Sequence, residues 1–339
     1  MKHSNPNMLL RIGQGDALGM ATEYLDLGLP EHLAAKTEAL KLERYVKHPK
    51  WDIPAGHYTD DTQMSIAVAR TLDLHDFALP ETVAVREIRP LPGTTVHHEE
   101  GDPRSEWPGE WEKIIAIRRA FAQDFVRFYQ RDRRLGYSKY FQAFLDSVHT
   151  GDEFLLRCYP HSDKNGAAMR SVPIGVLPDP KLVLHVAREQ ARITHDTYGG
   201  RVSSEMVALM SYFALYHDAP LSGVREFLAS ILHVSESDRD PLSLLSSWGG
   251  GPVAGSGVGM KTARAVMTLI LEEKTLLGIA KRALEWGGDT DTVIAVSWGI
   301  ASARMKEELP AWLDTGLENG DYGRDYLADL GTKLMEKYA

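Results

Sequence analysis

The run Thr59-Asp60-Asp61-Thr62-Gln63-Met64-Ser65-Ile66-Ala67-Val68-Ala69-Arg70-Thr71-Leu72-Asp73-Leu74 changes character after its fourth residue. Four oxygen-bearing side chains give way to Met64, Ala67, Val68 and Leu72 near helical spacing. That single apolar stripe predicts a helix over Thr62–Leu74 that opens on two carboxylates. Negative charge is tolerated there because it meets the positive end of the helix dipole. Thr59 or Thr62 can cap free backbone N–H groups. Capping needs only one such side chain, and this segment supplies four oxygen donors.

The same grammar returns late in the chain as Gly287-Gly288-Asp289-Thr290-Asp291-Thr292. The glycines permit a tight or left-handed turn, and the spacing can aim Asp289 and Asp291 at one point. A helix is expected over Thr292–Glu308, with small residues at Ala295, Ser297, Gly299, Ala301, Ser302 and Ala303 as suits close helix packing. If the two stretches converge, four carboxylates share a pocket. Two unit charges about 4 Å apart repel by roughly 4 kcal/mol at an effective dielectric near 20. Such a cluster requires protonation or cations, and hard divalent ions suit oxygen ligands. Mg²⁺ or Mn²⁺ fits better than Zn²⁺, which usually recruits His or Cys.

Helical periodicity extends through the rest of the chain. Met8 to Leu25 reads as a first helix, interrupted by Gly13, Gly15 and Gly19; on it Asp16, Gly19 and Glu23 share one face. Asp16 there either orients metal ligands or caps a helix. Further helices are expected over Trp111–Gln130, Lys139–Val148, Leu182–Gln190, Ser203–Tyr216, Val224–Leu232, Thr262–Glu273 and Leu276–Trp286. Strand-like alternation is scarce, so the fold class is all-α. Residues 80–110 differ, with Pro80, Pro90, Pro92, Gly93, Gly101, Pro103, Pro108 and Gly109 marking a surface insertion or a lid.

The chain has 339 residues, 43% of them apolar, a formal charge of −9 and one cysteine, Cys158. That charge argues against general nucleic-acid binding. One cysteine excludes an intramolecular disulfide and thiolate-rich zinc sites, and it suits the reducing cytoplasm. No run approaches the roughly 20 apolar residues of a membrane span. No secretory signal is evident at the N-terminus.

Four segments occur in the order seen in the ADP-ribosylglycohydrolase family: Gly15-Asp16-Ala17-Leu18-Gly19 with Glu23, Thr59-Asp60-Asp61-Thr62, Asn165-Gly166-Ala167-Ala168-Met169-Arg170, and Gly288-Asp289-Thr290-Asp291-Thr292. The chain also resembles that family at Thr194-His195 and at Leu309-Pro310-Ala311-Trp312. The resemblance implies a compact, orthogonal multi-helix single domain over 1–339 with a binuclear Mg²⁺ or Mn²⁺ centre. Thr59, Asp60, Asp61, Asp289, Asp291 and Thr292 match the metal ligands. Glu23 matches an acidic residue near the metals, and Glu23, Asp61 or Asp291 is expected to move the proton. Asn165, Gly166, Ala167, Met169 and Arg170 match the segment that wraps the diphosphate and distal ribose. His195 and Gly257, the latter in the Ala254–Gly259 loop, are expected near the nucleotide. Val258 stands where members often carry a tyrosine.

The implied activity is metal-dependent release of ADP-ribose from a modified acceptor, foremost protein arginine. Alternatives are another ADP-ribose linkage (serine, O-acetyl-ADP-ribose or nucleic acid) and a non-catalytic ADP-ribose-binding protein. The expected partner is an ADP-ribosylated protein or small molecule, and the expected state a monomer. Plainer readings also exist for single residues. Arg170 could make a helix-terminal ion pair, His195 could be core, His57 could shape its turn, and Trp51 or Trp248 could stack on a base or simply pack. His97-His98 beside Glu99-Glu100 reads as a solvated loop.

Overall fold

The computed structural model describes residues 1–79, 108–232 and 244–339, with side chains of the second segment described from residue 112. The helices are α1 (Met8–Gly19), α2 (Pro30–Ala39), α3 (Asp60–Leu74), α4 (Pro108–Arg131), α5 (Lys139–Asp146), α6 (Gly151–Arg157), α7 (Gly166–Met169), α8 (Pro180–Arg192), α9 (Tyr198–Tyr216), α10 (Val224–Ile231), α11 (Val258–Glu272), α12 (Leu276–Trp286), α13 (Thr290–Ala301), α14 (Trp312–Thr315) and α15 (Arg324–Lys337). Among the described residues the only extended pairing is two isolated bridges, His161–His195 and Val253–Gly288. The fold is all-α, as the periodicity predicts. No described helix is long and apolar enough to cross a membrane.

Two helices form the centre because they are apolar or small on every side. Every residue of α13 is buried, and α9 is buried continuously from Ser203 to Leu215. A helix without a polar face belongs inside a core. Helix α1 lies along α13, α8 and α11 pack on α9, and α12 covers the far side of α13. Trp298 of α13 is fully buried and donates from Nε1 to the Leu276 carbonyl at 2.7 Å. The outer helices α4, α8 and α12 are amphipathic and turn one face to this centre.

The first helix is shorter than its periodicity suggests. It stops at Gly19, followed by a 3₁₀ turn over Met20–Thr22. The cause is contact with α13. A Cβ on Gly19 would lie 2.5 Å from the Asp291 Cα, so the two backbones touch there. Thr290 Oγ1 donates to the Gly19 carbonyl at 2.8 Å, taking an acceptor that a continuing helix would use. Glu23 therefore does not share a helix face with Asp16 and Gly19. It follows the turn on extended backbone, and Tyr24 after it adopts a left-handed φ of 46° while its N–H donates to the Gly288 carbonyl at 2.8 Å.

Other boundaries also move. Helix α3 begins at Asp60, so both carboxylates lie inside its first turn. Helix α13 ends at Ala301 rather than Glu308; beyond it the Arg304 guanidinium donates to the His217, Asp218 and Ala219 carbonyls and holds the chain across the end of α9. Helices α2, α6, α7, α14 and α15 fall outside the helical stretches expected from the sequence. The insertion expected over 80–110, with His97, His98, Glu99 and Glu100, lies outside the described residues except for 108–110, which open α4.

Gly19→Ala is expected to lower the melting temperature by about 1–3 °C, because the added Cβ meets backbone and the cost falls at the upper end of the overpacking range. Overpacking costs about 1–3 kcal/mol, against a gain of about 1 kcal/mol in helix propensity. Thermal denaturation checks it, and an unchanged or higher melting temperature would mean that α1 and α13 do not press together at this point.

Candidate metal centre

Helix α3 is capped from another helix. Neither Thr59 nor Thr62 bonds the exposed N–H groups of its first turn. Asp16 of α1, fully buried, does so instead. Its carboxylate accepts from the Thr59 N–H at 2.9 Å, the Thr59 hydroxyl at 2.9 Å, the Thr62 N–H at 3.0 Å and the Thr62 hydroxyl at 2.6 Å. Satisfying free amide donors with a carboxylate stabilises a helix start. Because Asp16 takes this task, Asp60 and Asp61 remain available. Asp61 Oδ1 is buried with no hydrogen-bond partner.

The start of α13 is fixed by backbone pairing. Val253 N–H donates to the Gly287 carbonyl at 3.0 Å, and Asp289 N–H donates to the Val253 carbonyl at 2.9 Å. Asp289 Oδ2 accepts from the Tyr24 hydroxyl at 2.9 Å and from Asn165 Nδ2 at 3.0 Å. Asp291 Oδ1 accepts from the Thr292 N–H at 2.9 Å.

The two Asp/Thr stretches meet. Oxygen atoms of Asp16, Asp61 and Asp291 all lie within 4.8 Å of one another, and so do those of Glu23, Asp289 and Asp291. The two groups share Asp291. Thr292 lies beside Asp61 and Thr59 beside Asp60, and each threonine opposes the upward pKa shift of its neighbouring carboxyl. Asp60 belongs to neither group, but it feels the charges of Asp16 and Asp289. Its carboxylate packs on Gly136 so closely that any side chain there would overlap it. Gly136, at a φ of 115°, is a site residue that the motifs did not reveal.

Burial drives the electrostatics. Asp60, Asp61 and Asp291 have their carboxyl pKa values pushed well above normal, first by burial and then by one another and by Asp16 and Asp289. Glu23 shifts the same way, by burial and then by Asp291 and Asp289. Asp16 rises only to about 6, because the bonds from Thr62 and Thr59 oppose burial. Among the described residues no lysine or arginine is ion-paired to any of these carboxylates. Buried negative charge without a counter-charge is strongly unfavourable. An all-oxygen donor set with an unpartnered, buried Asp61 oxygen fits hard divalent cations.

The family model described as ADP-ribosylglycohydrolase matches residues 12–339. The chain belongs to the ADP-ribosylglycohydrolase family. A protein of Archaeoglobus fulgidus named only as uncharacterized is 25% identical over 352 residues, covering 99% of this chain and 97% of its own. A solved structure described as an ADP-ribosylglycohydrolase-related protein complex shares the fold, with a TM-score of 0.63 at 21% identity over 98% of this chain and 97% of its own.

The family's substrate motif is only partly turned toward the carboxylates. Asn165 is: its amide holds Asp289 and also reaches the Thr262 hydroxyl at 3.3 Å. Gly166, Ala167 and Met169 form the single turn α7, where the Ala167 carbonyl accepts from Ser171 and Gln190 and the Met169 carbonyl from Ser65. Arg170 is 1% exposed. Its guanidinium donates to Gln190 Oε1 at 2.7 Å and to Thr194 Oγ1 at 2.8 Å, and it lies 4.3 Å from the Phe125 ring centroid. Among the described residues it forms no ion pair, so the helix-terminal pair is not made and its hydrogen bonds run into the core instead. Burial lowers its pKa to about 9.

His195 is buried against Gly166, with Nδ1 2.6 Å from Thr194 Oγ1. Burial, and then the Arg170 charge, depress its pKa to about 3, so the ring is neutral. Gly257 reaches the same segment, its N–H donating to Asp163 Oδ2 at 2.8 Å. Val258 is buried and offers no surface platform. Trp51 stacks on His48 at 4.2 Å, and Trp248 Nε1 donates to the Gly251 carbonyl. His57 Nδ1 sits 3.4 Å from Glu318 Oε2, beside the turn into α3.

A carboxyl whose folded pKa exceeds its unfolded value holds its proton more tightly in the folded state. The stability it contributes is complete at low pH and is lost as pH rises through the folded pKa. For Asp16 that window runs from the ordinary 3.8 to about 6, and the upward shifts of Asp60, Asp61, Asp291 and Glu23 carry the loss further. Mg²⁺ or Mn²⁺ is therefore expected to raise the melting temperature of chelator-treated protein more at about pH 8 than at about pH 5. Differential scanning fluorimetry reads this, and an equal or absent shift would argue against cation binding by the cluster.

Proposed function

We propose that the protein hydrolyses the bond between the anomeric carbon of ADP-ribose and its acceptor, foremost a protein arginine, with two divalent cations, Mg²⁺ or Mn²⁺, in the carboxylate cluster. The observation that carries this reading is the pair of three-carboxylate groups sharing Asp291, with a buried Asp61 oxygen left unpaired. Asp61, Asp289, Asp291, Thr292, Asp60 and Thr59 hold the ions in this reading. Such ions supply Lewis acidity toward water and sugar hydroxyl oxygens.

The remaining chemistry belongs to the chain itself. The carboxylates lie where positive charge builds on the ribose as the glycosidic bond stretches, and they lower that barrier electrostatically. Water forms the new C–O bond as the C–N bond to the guanidinium breaks. One proton leaves that water and one is delivered to the departing nitrogen. Glu23 is suited to this transfer because it stands on extended chain after the α1 turn, half-buried, and not locked inside a helix cap. Paired carboxyl groups perform the same exchange in other glycoside hydrolases.

The ADP moiety lies along the Asn165–Gly166 segment and the Gly257 loop, backed by the neutral His195 ring. Asn165 positions Asp289 for the cations, and Arg170 holds α7 to α8 from within the core. Cys158 is unbridged, in keeping with a cytoplasmic setting.

Release of ADP-ribose from ADP-ribosyl-arginine, ADP-ribosyl-serine, O-acetyl-ADP-ribose and ADP-ribosylated nucleic acid is the test. Arginine-linked substrate is expected to turn over fastest. Asp61→Asn and Asp291→Asn should each lower kcat/KM at least about 100-fold while the protein stays folded by circular dichroism. Turnover retained in both variants would defeat the mechanism, and ADP-ribose binding without release in the wild type would defeat the enzymatic reading.

A further inference from the structure

A cavity of about 300 Å³ opens between α3, α4 and α15, remote from the carboxylates. Four cations, Arg70, Arg127, Arg131 and Lys333, line it with a single carboxylate, Asp329. Tyr322 and Tyr326 supply an aromatic wall, their ring centroids 5.1 Å apart and nearly perpendicular. Phe128 braces Tyr322 edge-on at 5.6 Å. In a chain of net charge −9 this concentration of positive charge requires a reason.

Local ion pairs account for part of it. Arg70 pairs with Asp73, Arg127 with Asp124 at 2.8 Å, and Lys333 with Asp329 at 2.6 Å. Each guanidinium has five N–H donors, so the paired arginines retain donors beyond those bonds. Arg131 lines the same cavity and has no side-chain partner among the described residues. Arginine forks suit phosphate oxygens, and tyrosine rings suit the face of a planar base. The volume is at the small end for ligand sites, enough for a mononucleotide and too little for a polymer.

The cavity is separate from the carboxylate centre. Arg70 follows Asp61 by nine residues, which is two and a half helical turns. It therefore stands on roughly the opposite face of α3, roughly 14 Å along its axis. We propose that this cleft binds a mononucleotide-class anion, its phosphate on the arginines and Lys333 and its base against Tyr322 and Tyr326.

The test is isothermal titration calorimetry of AMP, inorganic phosphate and adenosine into the full chain, as wild type, Arg131→Ala, Arg131→Glu and Lys333→Ala. AMP should bind the wild type more tightly than either fragment. Its affinity should fall about tenfold or more in the alanine variants, the effect of losing one charge-assisted hydrogen bond, and further in Arg131→Glu. ADP-ribose release at saturating substrate should be unchanged in all three variants. The proposal is overturned if the wild type gives no AMP signal, if AMP binds every folded variant equally, or if phosphate alone binds as tightly as AMP.

Discussion

The backbone contact between α1 and α13 at Gly19 and Asp291 is the constraint from which the site follows. Helix α1 cannot pass that point without collision, so it ends, and the chain turns through Met20–Thr22. The ending leaves Asp16 one turn back, facing α3, and sends Glu23 forward toward Asp289 and Asp291. One close approach thus distributes two acidic residues, seven apart in sequence, to opposite sides of the same cluster. A larger residue at position 19 would separate the helices and the carboxylates together.

Helix capping and the charge of the acidic cluster are coupled through Asp16. Its carboxylate satisfies both amides and both hydroxyls at the start of α3, which holds its pKa below those of its neighbours. It also faces Asp61 and Asp291. Removing Asp16 would therefore release the first turn of α3 and alter the charge beside Asp61 in one step. The buried α13 and the apolar faces packed on it supply the hydrophobic stabilisation against which this concentrated charge is held. The site is built on helices, whose positions the core over-determines, and so its oxygens stay close despite repulsion.

Much of this was legible in the sequence. The Asp/Thr stretches at two helix starts, the small residues of α13 and the helical stripes all follow from local pattern, and they lead to an all-α fold with a convergent acidic pocket. Partners across the core were less legible. Local rules favour Thr59 or Thr62 as the α3 cap, and only the tertiary structure brings Asp16 there. The protein partners of Asn165 and Arg170 carry no local signal: one holds Asp289 and the other joins a buried network with Gln190 and Thr194. Gly136 carries no local signal, since what requires glycine there is a φ of 115° and the room taken by the Asp60 carboxylate. Helix α15 did have a signal, with Leu327, Leu330 and Leu334 at helical spacing and all buried, but the preceding run of Gly316, Gly320 and Gly323 masks it as loop. Helix α2 buries only His32 and Ala39 and has little apolar stripe to read.

The difference between Asp16 and Glu23 bears on how the chain divides structural from chemical tasks. Both are acidic, both come from the α1 segment, and both stand within reach of Asp291. Asp16 is saturated with hydrogen bonds inside a core, so any change in its protonation disturbs the start of α3. Glu23 has left the helix, and its own carbonyl is tied to His48 Nε2 at 2.9 Å while its side chain remains half-buried at the edge of the cluster. Its backbone is thus anchored independently of its carboxyl group. In the proposed mechanism the residue that gains and loses a proton has to do so without unfolding its support, and of the two only Glu23 meets that condition.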